Sequence, residues 1–108
     1  MIISKLLKLV TGKYRLITIR GESMCPTLND GDIKWVDYSK NTLNDLKNGD
    51  IVLFKNPMGK NLIVKRIERH DQDKGYWMKG DNRFPLESSD SEMFGHIKLE
   101  HLKGKILY

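Results

Sequence analysis

The sequence predicts a mainly β domain in which curled antiparallel sheets form a small barrel. Short runs rich in β-branched and aromatic residues recur from residue 13 onward, Gly, Asn, Asp and Pro separate them, and no internal repeat or low-complexity linker interrupts them. The chain has 108 residues, enough for one shared apolar core but too few for two. We therefore expect one β domain over residues 13–108, preceded by a short segment over residues 1–12.

The predicted strands follow one another with polar turns between them. They cover residues 14–20 (YRLITIR), 33–38 (IKWVDY), 50–55 (DIVLFK), 61–68 (NLIVKRIE), 76–79 (YWMK) and 103–108 (KGKILY). The Asn-Pro-Met-Gly run at residues 56–59 predicts a hairpin between the third and fourth strands. Polar connections are expected at residues 39–47 and 70–75. Residues 80–95 are expected to form a long irregular loop, and such a loop in a small domain indicates a functional site.

The composition is that of an ordinary globular domain with an excess of basic residues. The chain is 39% hydrophobic and 31% charged, with a formal net charge of +5. Most of the cations are mixed with Asp and Glu, which favours a solvated surface, so no nucleic-acid partner is expected. The exception is the start of the chain, where no acidic residue precedes Glu22. The single cysteine excludes an internal disulfide and favours a reducing, cytoplasmic location.

Residues 1–10 (MIISKLLKLV) form a short apolar segment that carries two lysines. A membrane-spanning helix needs about 20 apolar residues, so this segment predicts no transmembrane helix. It also lacks the small-residue cleavage site of a signal peptide. Two interpretations stay open: a terminal helix or strand packed on the domain, or a short amphipathic helix that contacts a membrane surface peripherally.

The run GESMCPTL at residues 21–28 places a serine just ahead of a Met-Cys-Pro bend. Pro26 favours an extended residue before it, so Ser23 is expected at the end of a strand, where the chain enters an irregular turn. There its hydroxyl can attack a carbonyl group while its backbone N–H acts as an oxyanion donor. Gly21 permits close approach of a peptide backbone, and Met24 is counted with it among the supporting residues. An ordinary strand-to-turn connection is the alternative.

A serine hydroxyl needs a base to become a nucleophile, and Lys65 is the candidate. In the fourth predicted strand, the two-residue period places Ile63, Lys65 and Ile67 on one face. Burial between isoleucines lowers the pKa of a lysine, because desolvation disfavours the ammonium, and the neutral amine can take the serine proton. The alternative is a lysine that extends from a half-buried strand to solvent.

Cys25 is a second candidate nucleophile in the same run. The sequence places no basic group beside it to stabilise a thiolate, so it is interpreted as a small apolar residue. The histidines, His70, His96 and His101, have no triad context, and together with the cysteine they lack zinc-type spacing. No metal site and no cofactor are expected.

Four sequence motifs occur in a fixed order along residues 21–97. They are GESMCPTL at 21–28 followed by GD at 31–32, GDIVLF at 49–54, VKR at 64–66, and GDN at 80–82 followed by SSDS at 88–91. In this order and spacing they resemble the motifs of the type I signal peptidases and of related soluble serine–lysine endopeptidases. The resemblance implies a signal-peptidase-like barrel with a groove for an extended peptide.

The resemblance also implies roles for individual residues. Ser23 is implied as the nucleophile and Lys65 as the general base. Ser88 is implied as the group that hydrogen-bonds and orients the lysine amine, and Asp90 as the group that holds the loop through an ion pair.

This sequence departs from the family pattern in three places. Glu92 stands where the family commonly has the arginine that pairs with Asp90, so Arg83 or Lys79 is the expected substitute. Gly21 stands where some members carry a serine as second oxyanion donor, which leaves that donor unassigned. The membrane-bound members have a spanning helix ahead of the nucleophile, and the segment before Ser23 predicts none.

Further features make the chain similar to the nickel-type superoxide dismutase maturation proteases: Asn-Pro at residues 56–57, Trp77 ahead of GDN, and Phe-Gly at residues 94–95. The resemblance thus implies a serine endopeptidase that removes an N-terminal prosegment or signal-type peptide from a precursor protein. Two alternatives are kept. One is a self-cleaving regulatory domain of the SOS-repressor kind, and the other is a non-catalytic basic β-barrel that binds nucleic acid or an anionic membrane.

Overall fold

The described residues of the chain form one six-stranded antiparallel sheet. The computed structural model describes residues 13–83 and 91–108, so the segment 1–12 lies outside the described residues, as do Ser88 and Asp90. The strands are β1 (Tyr14–Thr18), β2 (Ile33–Asp37), β3 (Ile51–Lys55), β4 (Leu62–Asp71), β5 (Gly75–Lys79) and β6 (Leu102–Leu107). Their order in the sheet is β1-β2-β6-β3-β4-β5, and neighbouring strands are antiparallel. The predicted mainly β fold is confirmed.

The predicted hairpin between β3 and β4 is present, with Val52 opposite Lys65. A second hairpin joins β4 to β5, and β4 continues past its predicted end to Asp71. The prediction of a polar turn from residue 70 to residue 75 was therefore too long. Asp73 and Gly75 adopt φ values of 70° and 114°, and this left-handed backbone reverses the chain within a few residues.

Short helices occupy connections for which no helix was predicted. Helix α1 (Lys40–Leu43) begins after Ser39, whose side chain accepts a hydrogen bond from Thr42 N (3.4 Å). Asp37, at the end of β2, accepts bonds from Ser39 N (2.9 Å) and Thr42 Oγ1 (2.7 Å), so the start of the helix is capped. The others are α2 (Ser91–Phe94) and a 3₁₀ turn (Leu99–His101). Within residues 13–83 and 91–108, no helix has both the length and the apolar character needed to cross a bilayer.

Buried apolar side chains form two clusters. The first contains Ile19, Met24, Leu28, Val36, Ile51, Leu53 and Ile106, and the second contains Val52, Phe54, Ile67, Tyr76, Met78, Ile97 and Leu102. Alternate residues of β3 enter different clusters, so this central strand is buried on both faces. Each buried Met or Leu side chain stabilises the fold by about 1.5–3 kcal/mol. Because Met24 and Leu28 belong to the first cluster, the segment that follows β1 is anchored in the core.

Candidate active site

Ser23 lies in a tight turn shortly after β1. Backbone hydrogen bonds from Cys25 N to Glu22 O (3.1 Å) and from Leu28 N to Met24 O (2.9 Å) hold the turn together. Met24 and Leu28 are buried, whereas Ser23 is only partly buried. The serine therefore sits on a fixed backbone with its side chain within reach of solvent or a ligand.

Gly21 begins this turn in the left-handed conformation. Its φ is 84°, and its N–H donates to Asp30 Oδ1 at 2.8 Å. A residue with a Cβ atom is strained at this φ, so the turn itself favours glycine at this position. A serine here, which would supply a side-chain hydroxyl as second oxyanion donor, would therefore be strained on the backbone that this chain adopts.

Lys65 is buried in β4, as its isoleucine neighbours predict. Its exposed fraction is 3%, and no other lysine among the described residues is buried. Ile67 lies in the second core cluster and Ile63 packs against that cluster. Because desolvation disfavours the ammonium form, Lys65 is the lysine of the described chain best suited to act as a neutral base.

Gly80, just after β5, lies between the serine turn and the lysine. A Cβ atom placed on Gly80 would lie 2.6 Å from Ser23 O and 3.3 Å from Lys65 Nζ. The first distance is too short for any side chain, so the close approach requires glycine. The backbone of Ser23 and the amine of Lys65 thus both contact the same position of the chain, although 42 residues separate them in the sequence.

Asn82 ties the segment after Gly80 to the serine turn. Its backbone N–H donates to Ser23 O at 2.9 Å, and its side-chain Nδ2 donates to Glu22 O at 2.9 Å. These two hydrogen bonds restrain the peptide unit before Ser23 and the peptide unit after it. The segment therefore fixes the position of Ser23 relative to β4 and β5.

Asp81 links the serine turn to the residue after Lys65. Arg66 donates to both carboxylate oxygens, from Nε (2.9 Å) and from an Nη atom (2.7 Å), and Thr27 Oγ1 donates at 2.6 Å. The Arg66 hydrogen bonds, with a smaller contribution from Thr27, lower the pKa of Asp81 against the opposing effect of burial. The same carboxylate raises the pKa of Arg66. The carboxylate therefore stays ionised, and it connects Thr27 of the serine turn to Arg66 of β4.

Replacing Asp81 by asparagine is expected to lower the free energy of unfolding by about 1–3 kcal/mol, because it leaves partly buried Arg66 without its carboxylate. The folded-state pKa of Asp81 is depressed. Its contribution to stability is therefore present above the unfolded-state pKa, about 3.9, and is lost as the pH falls through the folded-state pKa. The wild-type chain should lose more stability than Asp81→Asn on acidification below about pH 5, as measured by urea unfolding.

Asp45 provides the control for this measurement. Its ion pair with Lys47 (3.1 Å) lies in solvent, so Asp45→Asn should change the free energy of unfolding by less than about 0.5 kcal/mol. Equal acid sensitivity of the wild-type chain and Asp81→Asn would contradict the role given to the Asp81 carboxylate.

Ser23 and Lys65 line one cavity of about 330 Å³. Its walls are Ile17, Thr18, Ile19, Arg20, Gly21, Ser23, Met24, Leu53, Leu62, Ile63, Val64 and Lys65. In a flat sheet with this strand order, β1 and β4 would lie about 19 Å apart, because neighbouring strands are spaced by about 4.8 Å. Since both strands border this cavity, the sheet must curl, and the predicted groove is the space enclosed by that curl.

One border of the cavity is the outer edge of β1. Among the described residues, β1 pairs only with β2. Just beyond the strand, Ile19 N donates to Asp32 O (2.7 Å) and Ile19 O accepts from Gly31 N (2.8 Å), both on the β2 side. Because successive residues of a strand direct their backbone groups to opposite sides, those of Thr18 and Arg20 face the outer edge.

The other border is the first half of β4. Ile67 N donates to Asp50 O (2.8 Å) on the β3 side, and pairing of β4 with β5 begins only at Arg66. By the same alternation, the backbone groups of Leu62 and Val64 point away from β3. No described strand occupies that side, so two strand edges with available hydrogen-bonding groups face each other across the cavity.

The structure brings four of the predicted site residues together: Ser23, Lys65, Gly21 and Met24 line the same cavity. Ser88 and Asp90 lie outside the described residues. Cys25 does not line the cavity, and its Sγ lies 3.1 Å from Asn29 Oδ1. The described residues contain no group of three or more His, Cys, Asp or Glu suited to a metal ion.

Sequence reasoning missed the residues that connect the two halves of the site. Thr27, Arg66, Asp81 and Asn82 were noticed only as parts of motifs, without a role. Their membership in three separate motifs was a usable signal. Polar residues in the motifs that contain Ser23 and Lys65 can be expected to form hydrogen bonds with one another.

Comparisons with known proteins agree with the sequence motifs. The sequence profile of a family described as Peptidase S24-like matches residues 3–97. The chain is 41% identical over 49 residues to Signal peptidase I T of Bacillus subtilis (strain 168), an alignment that covers 45% of this chain and 25% of that protein. It is 27% identical over 113 residues to mitochondrial inner membrane protease subunit 1 of Homo sapiens, covering 86% of this chain and 67% of that protein.

A second bacterial relative gives a similar result. The chain is 39% identical over 49 residues to Signal peptidase I of Bacillus amyloliquefaciens, covering 45% of this chain and 25% of that protein. The alignments thus cover a quarter of the length of the bacterial signal peptidases that the chain matches.

Proposed function

Because the chain belongs to the Peptidase S24-like family, we propose that it is a serine endopeptidase in which Ser23 is the nucleophile and Lys65 the general base. The observation that carries the proposal is the burial of Lys65, 3% exposed, in a cavity that Ser23 also lines. Burying an ammonium costs free energy, whereas the neutral amine is tolerated and can accept a proton. No histidine of the described chain lines this cavity, so buried Lys65 is the residue available to act as the base for Ser23.

In the proposed reaction, Ser23 Oγ attacks the carbonyl carbon of the scissile peptide while Lys65 Nζ takes the hydroxyl proton. The resulting ammonium donates that proton to the leaving amine as the C–N bond breaks, which leaves an acyl-enzyme ester. Water then attacks the ester with Lys65 as base, and the released serine oxygen recovers a proton from Lys65. The backbone N–H of Ser23 stabilises the oxyanion, Ser88 orients the lysine amine, and Asp90 anchors the loop.

We propose that the substrate binds as an added β-strand between the two free edges. The backbone groups of Thr18 and Arg20 on one side, and of Leu62 and Val64 on the other, are placed to pair with an extended peptide. Such pairing recognises the main chain of any sequence. Side-chain selectivity then arises from the residues that line the cavity.

The proposed substrate is an N-terminal prosegment or signal-type peptide of a precursor protein. The names of the matched relatives, signal peptidases and a mitochondrial inner membrane protease, support this substrate class. The finer proposal, the precursor of a nickel-type superoxide dismutase processed in the cytoplasm, is based on the sequence features at residues 56–57, 77 and 94–95. Release of the prosegment from such a precursor by the wild-type chain, and not by Ser23→Ala, tests it.

Substitution of Ser23 by alanine tests the nucleophile. We expect Ser23→Ala to lose cleavage of a synthetic peptide library, by about 10³-fold or more, with an unchanged free energy of unfolding because the serine is partly exposed. New N-termini are counted by mass spectrometry. Cys25→Ala, in the same turn, is the matched control and should retain most of the activity. Loss of cleavage in Cys25→Ala together with normal turnover by Ser23→Ala would assign the chemistry to the thiol instead.

A further inference from the structure

Apart from Lys65, Arg20 is the one charged residue among those that line the cavity within the described part of the chain. It lies three residues before Ser23, beyond the end of β1, and it is exposed. The other lining residues are apolar or uncharged. Because Arg20 belongs to the cavity lining and is exposed, its guanidinium adds a positive charge close to the cavity.

No ion pair among the described residues includes Arg20. Two acidic residues lie near it along the turn, Glu22 and Asp30, but neither lines the cavity. Asp30 Oδ1 accepts the Gly21 N–H at 2.8 Å, so that carboxylate is held by the turn. The Arg20 charge is thus not neutralised by a close carboxylate of the described chain.

The cations of β1 add to this charge, and they outnumber the acidic residues on β1 itself, although Asp32 and Asp37 lie on the neighbouring β2 side. Residues 13–21 contain Lys13, Arg15 and Arg20 and no acidic residue, and Lys34 lies opposite Ile17 on β2. Grouped cations attract anionic ligands over a distance of about one Debye length. A peptide that approaches the outer edge of β1 meets this field before it pairs with the strand.

We propose that Arg20 selects substrates that carry an aspartate or glutamate close to the cleaved bond. The inference rests on the proposed function, since it assumes that an extended peptide lies in the cavity with its scissile carbonyl at Ser23. Such a peptide advances by about 3.3 Å per residue, so the acidic side chain that Arg20 binds lies within about three residues of the cleaved bond. Guanidinium and carboxylate form paired, charge-assisted hydrogen bonds, which suit this recognition.

The test uses a synthetic peptide library in which every position samples all residue types, followed by matched peptides that differ only by Glu or Gln at the preferred position. For the wild-type chain, we expect kcat/KM to be about two- to fivefold higher for the Glu peptide, the size of an exposed ion pair. Arg20→Gln should remove the preference, and Arg20→Glu should reverse it in favour of Lys or Arg. In 1 M NaCl, where the Debye length is about 3 Å, the wild-type preference should largely disappear.

Arg15→Gln is the matched control. Arg15 is also an exposed arginine of β1, its guanidinium lies 5.9 Å from the centroid of the Tyr38 ring, and it does not line the cavity. Its substitution should leave the Glu/Gln ratio unchanged. A wild-type ratio of one, or a ratio that persists in Arg20→Gln, overturns the role of Arg20 while the peptidase assignment stands. A wild-type chain that cleaves no more than Ser23→Ala overturns both.

Discussion

Lys65→Met is expected to reduce peptide cleavage to the level of Ser23→Ala, a loss of about 10³-fold or more, while the chain stays folded. Methionine is an unbranched side chain one atom shorter than lysine, and it lacks the amine that accepts a proton. Lys65 is 3% exposed, so the apolar replacement occupies the same buried space. We expect the free energy of unfolding to change by no more than about 1.5 kcal/mol, because a buried charge or amine and a well-packed apolar side chain differ little in net stability.

The pH dependence separates a base from a fixed positive charge. If Lys65 acts as the base, activity must rise with pH as the amine loses its proton, and a profile that is flat from about pH 5 to pH 9 contradicts the mechanism. Lys65→Arg should be as inactive as Lys65→Met, because a guanidinium does not deprotonate in this range. Lys103→Met, at an exposed position of β6, is the control and should retain activity at every pH.

The strands were predictable because runs of β-branched and apolar residues end at Gly, Asn and Pro turns. The apolar runs of β3 and β4 with the turn at residues 56–59 predicted the hairpin, and the isoleucines two residues to either side of Lys65 predicted its burial. The cap of α1 was visible in principle, since Ser39 and Thr42 have the spacing of a helix start. It was overlooked because a single helical turn has no hydrophobic periodicity of its own.

Motif membership indicated which polar residues connect the motifs, but the sequence did not indicate which of them pair with one another. Thr27 and Asp81 are 54 residues apart, and only the order of strands in the sheet brings them to 2.6 Å. That order places β6 between β2 and β3, a crossover that alternation alone does not determine. The contacts of Asn82 with the serine turn depend on the same topology. A sequence thus indicates which residues carry chemistry more readily than it indicates which residues hold them in place.

Gly80→Ala is expected to reduce cleavage by about 100-fold or more, because displacing a reacting group by about 1 Å has an effect of this size. The added methyl group would lie 2.6 Å from Ser23 O and 3.3 Å from Lys65 Nζ. The carbonyl belongs to the backbone and cannot rotate away, so the serine turn must shift relative to β4. The Asn82 N–H bond to Ser23 O, 2.9 Å long, is strained by the same shift.

Two further glycines separate a local effect on the site from a general loss of stability. In Gly59→Ala, the new Cβ meets no atom closer than 3.7 Å, so both activity and stability should be retained. In Gly104→Ala, the Cβ would overlap Val36 Cγ1 and lie 3.0 Å from Asp37 O, and neither atom belongs to Ser23 or Lys65, so stability should fall while the folded fraction keeps its specific activity. If Gly80→Ala loses activity only in proportion to its unfolded fraction, as Gly104→Ala should, the contact at Gly80 is structural. A loss of activity in a fully folded Gly80→Ala chain means that the spacing between Ser23 and Lys65 is itself the catalytic requirement.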